Sequence, residues 1–157
     1  MDLYTTILTV HATAGSVALI TGINKLVSKK QTTFQKTFLI TSLIAALAGL
    51  ALISYLKEDA LKSVFFVLVI CWLFTTSMLC MQIKKNNQKK SHEWFLRAFA
   101  FPLFFITMRL WRILLIQTGL DYQTAYIGAS WLGLIGNLIV AEIIQKKTTH
   151  FSVVSLS

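Results

Sequence analysis

Residues 34–83 read FQKTFLITSLIAALAGLALISYL, then KEDA, then LKSVFFVLVICWLFTTSMLCMQI. These are two apolar runs, Phe34–Leu56 and Leu61–Ile83, separated only by Lys57, Glu58, Asp59 and Ala60. A helix rises about 1.5 Å per residue, so each run covers a hydrocarbon core of about 30 Å. Four residues can only turn the chain around, so the two runs form a helical hairpin. A barrel strand would alternate apolar and polar residues over roughly 10 positions. These runs are apolar on nearly every face, which argues for helices.

Three more runs of the same kind flank the hairpin, near Tyr4–Leu26, Trp94–Gln117 and Gln123–Ile144. The expected fold is an all-α integral membrane protein, a bundle of five transmembrane helices. One domain would cover residues 1–147, with a short polar cytoplasmic tail at 148–157. Composition agrees: of 157 residues, 55% are hydrophobic and only 13% charged. A soluble domain carries about 25% charged residues, so a soluble globular reading is excluded.

Fifteen Lys and Arg against six Asp and Glu leave a net charge of +9. On a soluble chain that excess would suggest nucleic acid. Here the lysines fall between the apolar runs: Lys25, Lys29, Lys30 and Lys36; Lys84, Lys85, Lys89 and Lys90; Lys146 and Lys147. The opposite side has Lys57 and Lys62 beside Glu58 and Asp59, with Asp2 and Asp121. The positive-inside rule then puts the N-terminus outside and the C-terminus inside. The expected location is the bacterial cytoplasmic (plasma) membrane, multi-pass, with the lipid bilayer as partner and no nucleic acid. The first run begins Met1-Asp2-Leu3-Tyr4 without a basic leader, and is read as an uncleaved helix.

Small residues mark close helix contacts in lipid. They recur as Ala14, Ala18 and Gly22, as Ser42, Ala45, Ala46 and Gly49, and as Gly128, Ser130, Gly133 and Gly136. The third and fourth runs are bulky instead, with Phe65, Phe66, Trp72, Phe74, Phe99, Phe101, Phe104 and Phe105. The expectation is that helices one, two and five pack closely while three and four face lipid. Pro102 is expected to kink the fourth helix unless neighbours accommodate it.

An ionisable group inside a span costs roughly 2.5–3.5 kcal/mol on insertion scales, so each asks for a reason. Counting rise from the span centres puts His11 and Arg109 both roughly 6 Å toward the outside. Trp131 lies at similar height, and Arg112 about a turn further out. Tyr126, Ser130, Gly133 and Asn137 share one helical face. An outer pocket bounded by His11, Arg109, Tyr126 and Trp131 follows. Arg109 would hydrogen-bond backbone carbonyls or hold an anionic ligand; His11 would donate between helices, handle a proton or ligate a metal. Arg112 would snorkel to outer headgroups. Arg97 and Glu142, both roughly 12 Å below centre, read as an ion pair joining the fourth and fifth helices; the alternative is that Arg97 snorkels to inner-leaflet phosphates and Glu142 titrates alone. His92 abuts four lysines and reads as solvated unless it caps its helix.

No HxxxH, CxxC or paired-carboxylate motif is present, so a metal hydrolase is not expected and no metal site is assigned. Haem would want two axial ligands, yet His11 and His92 differ by roughly 20–25 Å in depth. A single-His haem, or His11 from two protomers, stays open.

Three stretches carry a resemblance: His11-Ala-Thr-Ala-Gly15-Ser16 with Ala18, Leu19 and Gly22; His92-Glu-Trp-Phe-Leu-Arg97 running to Thr107-Met-Arg109-Leu110; and Ala125-Tyr126, Trp131 and Asn137-Leu-Ile-Val-Ala141-Glu142. They resemble the domain of unknown function 2306 family of small bacterial predicted membrane proteins. That resemblance implies an integral membrane protein with no established activity, and it carries over no catalytic residue. It points to His11, His92, Arg97, Arg109, Asn137 and Glu142 as the positions to test. A looser similarity is to small haem-binding membrane reductases.

The functional expectation is a membrane binding or accessory subunit whose outer-leaflet pocket takes a lipid-soluble or anionic, quinone-like molecule. It would work as a homo-oligomer or in a larger membrane complex. The alternatives are a haem-binding membrane oxidoreductase and an oligomeric proton-coupled transporter, and whether the chain is an enzyme stays open.

Overall fold

Three of the five helices begin where a side chain satisfies a free first-turn N–H group. In the computed structural model, which describes residues 2–27 and 31–154 (of 31–32 and 148–154 the backbone alone), the Asp2 carboxylate accepts from the Thr5 N–H at 2.8 Å and opens α1 (Leu3–Val27). Lys29 and Lys30 lie outside the described residues. The helices that follow are α2 (Gln31–Ile53), α3 (Asp59–Lys84), α4 (Gln88–Gln117) and α5 (Tyr122–Val154). Asn87 caps α4 by accepting from the Lys90 N–H, and Asp121 caps α5 by accepting from the Thr124 N–H. Gly119, at φ +89°, closes α4 by donating its N–H to the Ile116 carbonyl. Only glycine takes that left-handed position without cost.

All five helices are long and apolar enough to cross a membrane, and no strand occurs among the described residues. The ends differ from the sequence expectation where apolarity is a poor guide to helicity. α4 starts at Gln88 rather than Trp94, because the Asn87 cap and the helix formers Gln88, Lys89 and Lys90 propagate the helix through polar sequence. α5 continues past Ile144 to Val154, with no Gly or Pro to stop it.

The packing overturns one expectation. α1 pairs with α2 and α4 pairs with α5, while α3 lies between the pairs against α2 and α4. Among the described residues α5 makes no substantial contact with α1 or α2; its Gly133 lies instead against the backbone of Met108 on α4. The bulky helices are the interior ones. Trp72, Phe95 and Phe104 are fully buried, with Phe101 nearly so, while Ile20, Leu47 and Ile139 face outward; of the bulky residues named for α3, Phe66 and Phe74 do face outward as expected. The physical reason is that lipid tails are as apolar as leucine, so bulk does not distinguish core from lipid face. Small residues bring α1 to α2, where Ala14, Ala45 and Ala46 share one cluster, and aromatic rings fill the seam between pairs.

α4 runs through buried Pro102 without interruption. Asn137 of α5 bonds α4 close to this proline, donating from Nδ2 to the Ala100 carbonyl and to Thr107 Oγ1, both at 3.0 Å. These acceptors stand on either side of the proline. Antiparallel succession gathers Asp2, Glu58, Asp59 and Asp121 at one end of the bundle, and Lys84, Lys85, Lys89, Lys90, Lys146 and Lys147 at the other.

Candidate functional site

At the acidic end a cavity of about 570 Å³ opens between the helices, with walls drawn from all five. His11, Arg109, Arg112 and Tyr126 bring polar atoms to an otherwise apolar lining that includes Phe65, Leu68 and Phe105. A second cavity of about 540 Å³ lies between α1 and α4, reaching Ser16 and Pro102. Leu8, His11, Phe105 and Arg109 line both, so they form the shared wall.

His11 is held from two sides. Its Nδ1 lies 2.8 Å from the Ala45 carbonyl oxygen, and its ring meets Phe105 edge to face at 5.3 Å. A carbonyl can only accept, so Nδ1 carries the hydrogen and Nε2 is left as the free nitrogen. Gly49, one turn beyond Ala45, makes room: a Cβ there would stand 3.1 Å from His11 Cε1.

The three arginines differ in their partners. Arg97 and Glu142 form a two-point pair, Nε to Oε1 and Nη2 to Oε2 at 3.2 Å, with Arg97 also over the Trp94 ring. Arg112 donates from Nη1 to the Tyr122 hydroxyl at 2.9 Å and lies near the Tyr122 and Tyr126 rings. Arg109 makes no hydrogen bond or ion pair among the described residues, although it lines both cavities. An arginine with five donors and no internal acceptor suits an anionic or carbonyl oxygen brought from outside.

Trp131 is not part of this constellation. It is exposed on the outer surface of α5 and lines neither cavity. Five residues separate it from Tyr126, a turn of roughly 140° about the helix, so a shared level does not give a shared face. His92 stacks near Phe95 at 6.5 Å, one turn inside a helix that Asn87 caps. Asn137 is committed to the α4 backbone and Thr107.

Lys25 is a residue that sequence reasoning passed over. Counted as a topology lysine, it is 6% exposed, its Nζ 3.7 Å above the centroid of Phe95. Its position one turn after Thr21, on the face of Ala14 and Ala18, was the available signal. Among the described residues no three His, Cys, Asp or Glu side chains cluster as a metal site, and Cys71 and Cys80 are free thiols.

A family model described as "Predicted membrane protein (DUF2306)" matches residues 8–145, nearly the whole bundle. The chain belongs to that family. The match begins before His11 and ends beyond Glu142, so the Arg97–Glu142 pair and the lining of both cavities, apart from Tyr4, fall within the matched residues. No curated protein and no solved structure matches the chain.

Proposed function

We propose that this protein is a membrane binding or accessory subunit that holds a lipid-soluble molecule with an oxygen-bearing, anionic or quinone-like head in the cavity at its acidic end. The observation that carries this reading is the unpartnered Arg109 guanidinium beside the open Nε2 of His11, on the wall of an apolar space of about 570 Å³. Buried pockets of this size, mostly apolar with a few convergent polar groups, are the usual form of a small-molecule site. Arg109 would hold an oxygen by charge-assisted hydrogen bonds, and His11 Nε2 would accept from a hydroxyl or pass a proton. The lysine-rich end is read as cytoplasmic in a bacterial plasma membrane, which sets the cavity in the outer leaflet.

Thermal unfolding of detergent-purified protein with a one-isoprene benzoquinone, and separately with decanoate, tests the reading. One of the two should raise the midpoint for the wild type, and Arg109→Ala and His11→Asn should abolish the rise. If neither probe shifts the wild type, or the variants respond like it, the reading is wrong.

A further inference from the structure

The lysine-rich end holds a different kind of cavity, about 360 Å³, between α2, α3 and the start of α4. Beside Ile83 its lining carries the polar side chains of Gln35, Gln82, Asn86, Asn87, Gln88 and Ser91, with Lys36, and it includes no carboxylate. Three of these side chains are withdrawn from the surface, Gln35 and Gln82 at 8% exposure and Ser91 at 4%. Gln35 Nε2 donates to Ser91 Oγ, which occupies the hydroxyl oxygen and leaves its hydrogen free. Gln82 lines the cavity and its side chain has no hydrogen-bond partner among the described residues, so its amide is open to an occupant.

The remaining walls give the occupant a sign. Asn87 uses its side-chain oxygen to cap α4 through the Lys90 N–H, while the N–H groups of Gln88 and Lys89 at the start of the helix have no partner within it. The positive end of α4 therefore opens on the same space as Lys36. Asn86 holds the turn at φ 52°, a left-handed position that asparagine tolerates, so the α3–α4 connection wraps the cavity in only three residues. Neutral amide donors, one hydroxyl, one ammonium, a helix start and no carboxylate make a site for a phosphate group.

We propose that this cavity binds phosphate, as the headgroup of an anionic lipid or as the free ion, independently of any ligand in the cavity at the acidic end. The test is ³¹P line broadening by the full-length purified protein, with inorganic phosphate and with short-chain phosphatidylglycerol as probes, and a short-chain monoacylglycerol competed against each. Gln82→Glu places a negative charge in the cavity and should weaken binding about tenfold or more; Ser91→Ala, which removes the hydroxyl donor, should weaken it about tenfold. Lys146→Gln with Lys147→Gln, at the same end but outside the lining, should bind like the wild type.

Binding of phosphate alone identifies the free ion as the occupant, and binding of the phospholipid alone identifies the headgroup. Binding of both assigns the site to the phosphate moiety itself. The proposal is overturned if neither probe binds or if the monoacylglycerol displaces them. It also fails if both Gln82→Glu and Ser91→Ala bind like the wild type, or if the Lys146/Lys147 variant weakens binding as much as Gln82→Glu.

Discussion

His11 of α1 donates from Nδ1 to the main-chain oxygen of Ala45 on α2, and this single 2.8 Å bond fixes which edge of the imidazole is left for the cavity. It also ties together the helix pair that forms one side of the bundle. Interhelical hydrogen bonds in membranes contribute about 0.6 kcal/mol on average and up to about 1.7. His11→Ala should therefore lower stability in reversible detergent unfolding by about that amount, plus the lost ring contact with Phe105. His11→Asn, whose amide nitrogen can reach the same carbonyl, should recover most of the loss.

Glycine positions should separate sharply by what their α-carbons face. A Cβ at Gly22 would run into the ring of Phe99, whereas one at Gly15 or Gly136 meets nothing within 4 Å. Gly22→Ala should cost about 1–3 kcal/mol, the usual range for overpacking a filled interior. Gly15→Ala and Gly136→Ala should be neutral in the same unfolding assay, or slightly stabilising through better helix propensity.

Asn137→Ala removes two donated bonds that straddle Pro102, while Thr107 keeps its own bonds to the Leu103 and Phe104 carbonyls. The expected loss is about 1 kcal/mol, near the mean for two such bonds. Amide hydrogen exchange should rise locally in α4 around residues 100–107. Unchanged exchange there would show that Pro102 needs no help from α5.

At the acidic end, hydrogen bonds from Thr124 hold the Asp121 carboxyl below its ordinary value of 3.8, and those from Thr5 do the same for Asp2. A carboxyl depressed in the folded state stabilises above the unfolded value and loses that contribution as pH falls through the folded one. Both caps are thus fully effective above about pH 4 and fade in more acidic solution. Helicity near Tyr122 and Leu3 should fray on acidification below that point. Asp121→Asn, which caps without titrating, should remove the pH dependence at α5 and leave it at α1.

The hairpin was legible because Lys57–Ala60 leaves no other way to connect two apolar runs of that length. Depth was legible too, since rise per residue is constant: His11, Arg109 and Tyr126 come from three different helices and meet on one cavity. Azimuth and partner choice were not. Trp131 shares the level of Arg109 but turns away, because depth arithmetic ignores rotation about the axis. The Phe99, Phe101 and Phe104 stripe looked lipid-facing because hydrocarbon tails and a protein interior reward the same side chains. Lys25, Gln35 and Gln82 were hidden for the converse reason: near a helix end, polar residues read as solvated until a neighbouring helix covers them.

Phe105, partly buried, stands with His11 and Arg109 in the wall common to the two cavities of the acidic end. Its ring packs edge to face on His11, which is itself pinned at Ala45. A guest long enough to reach from the Tyr4 side to Pro102 would have to displace that wall. The length of molecule this bundle can house is therefore set where the two cavities meet.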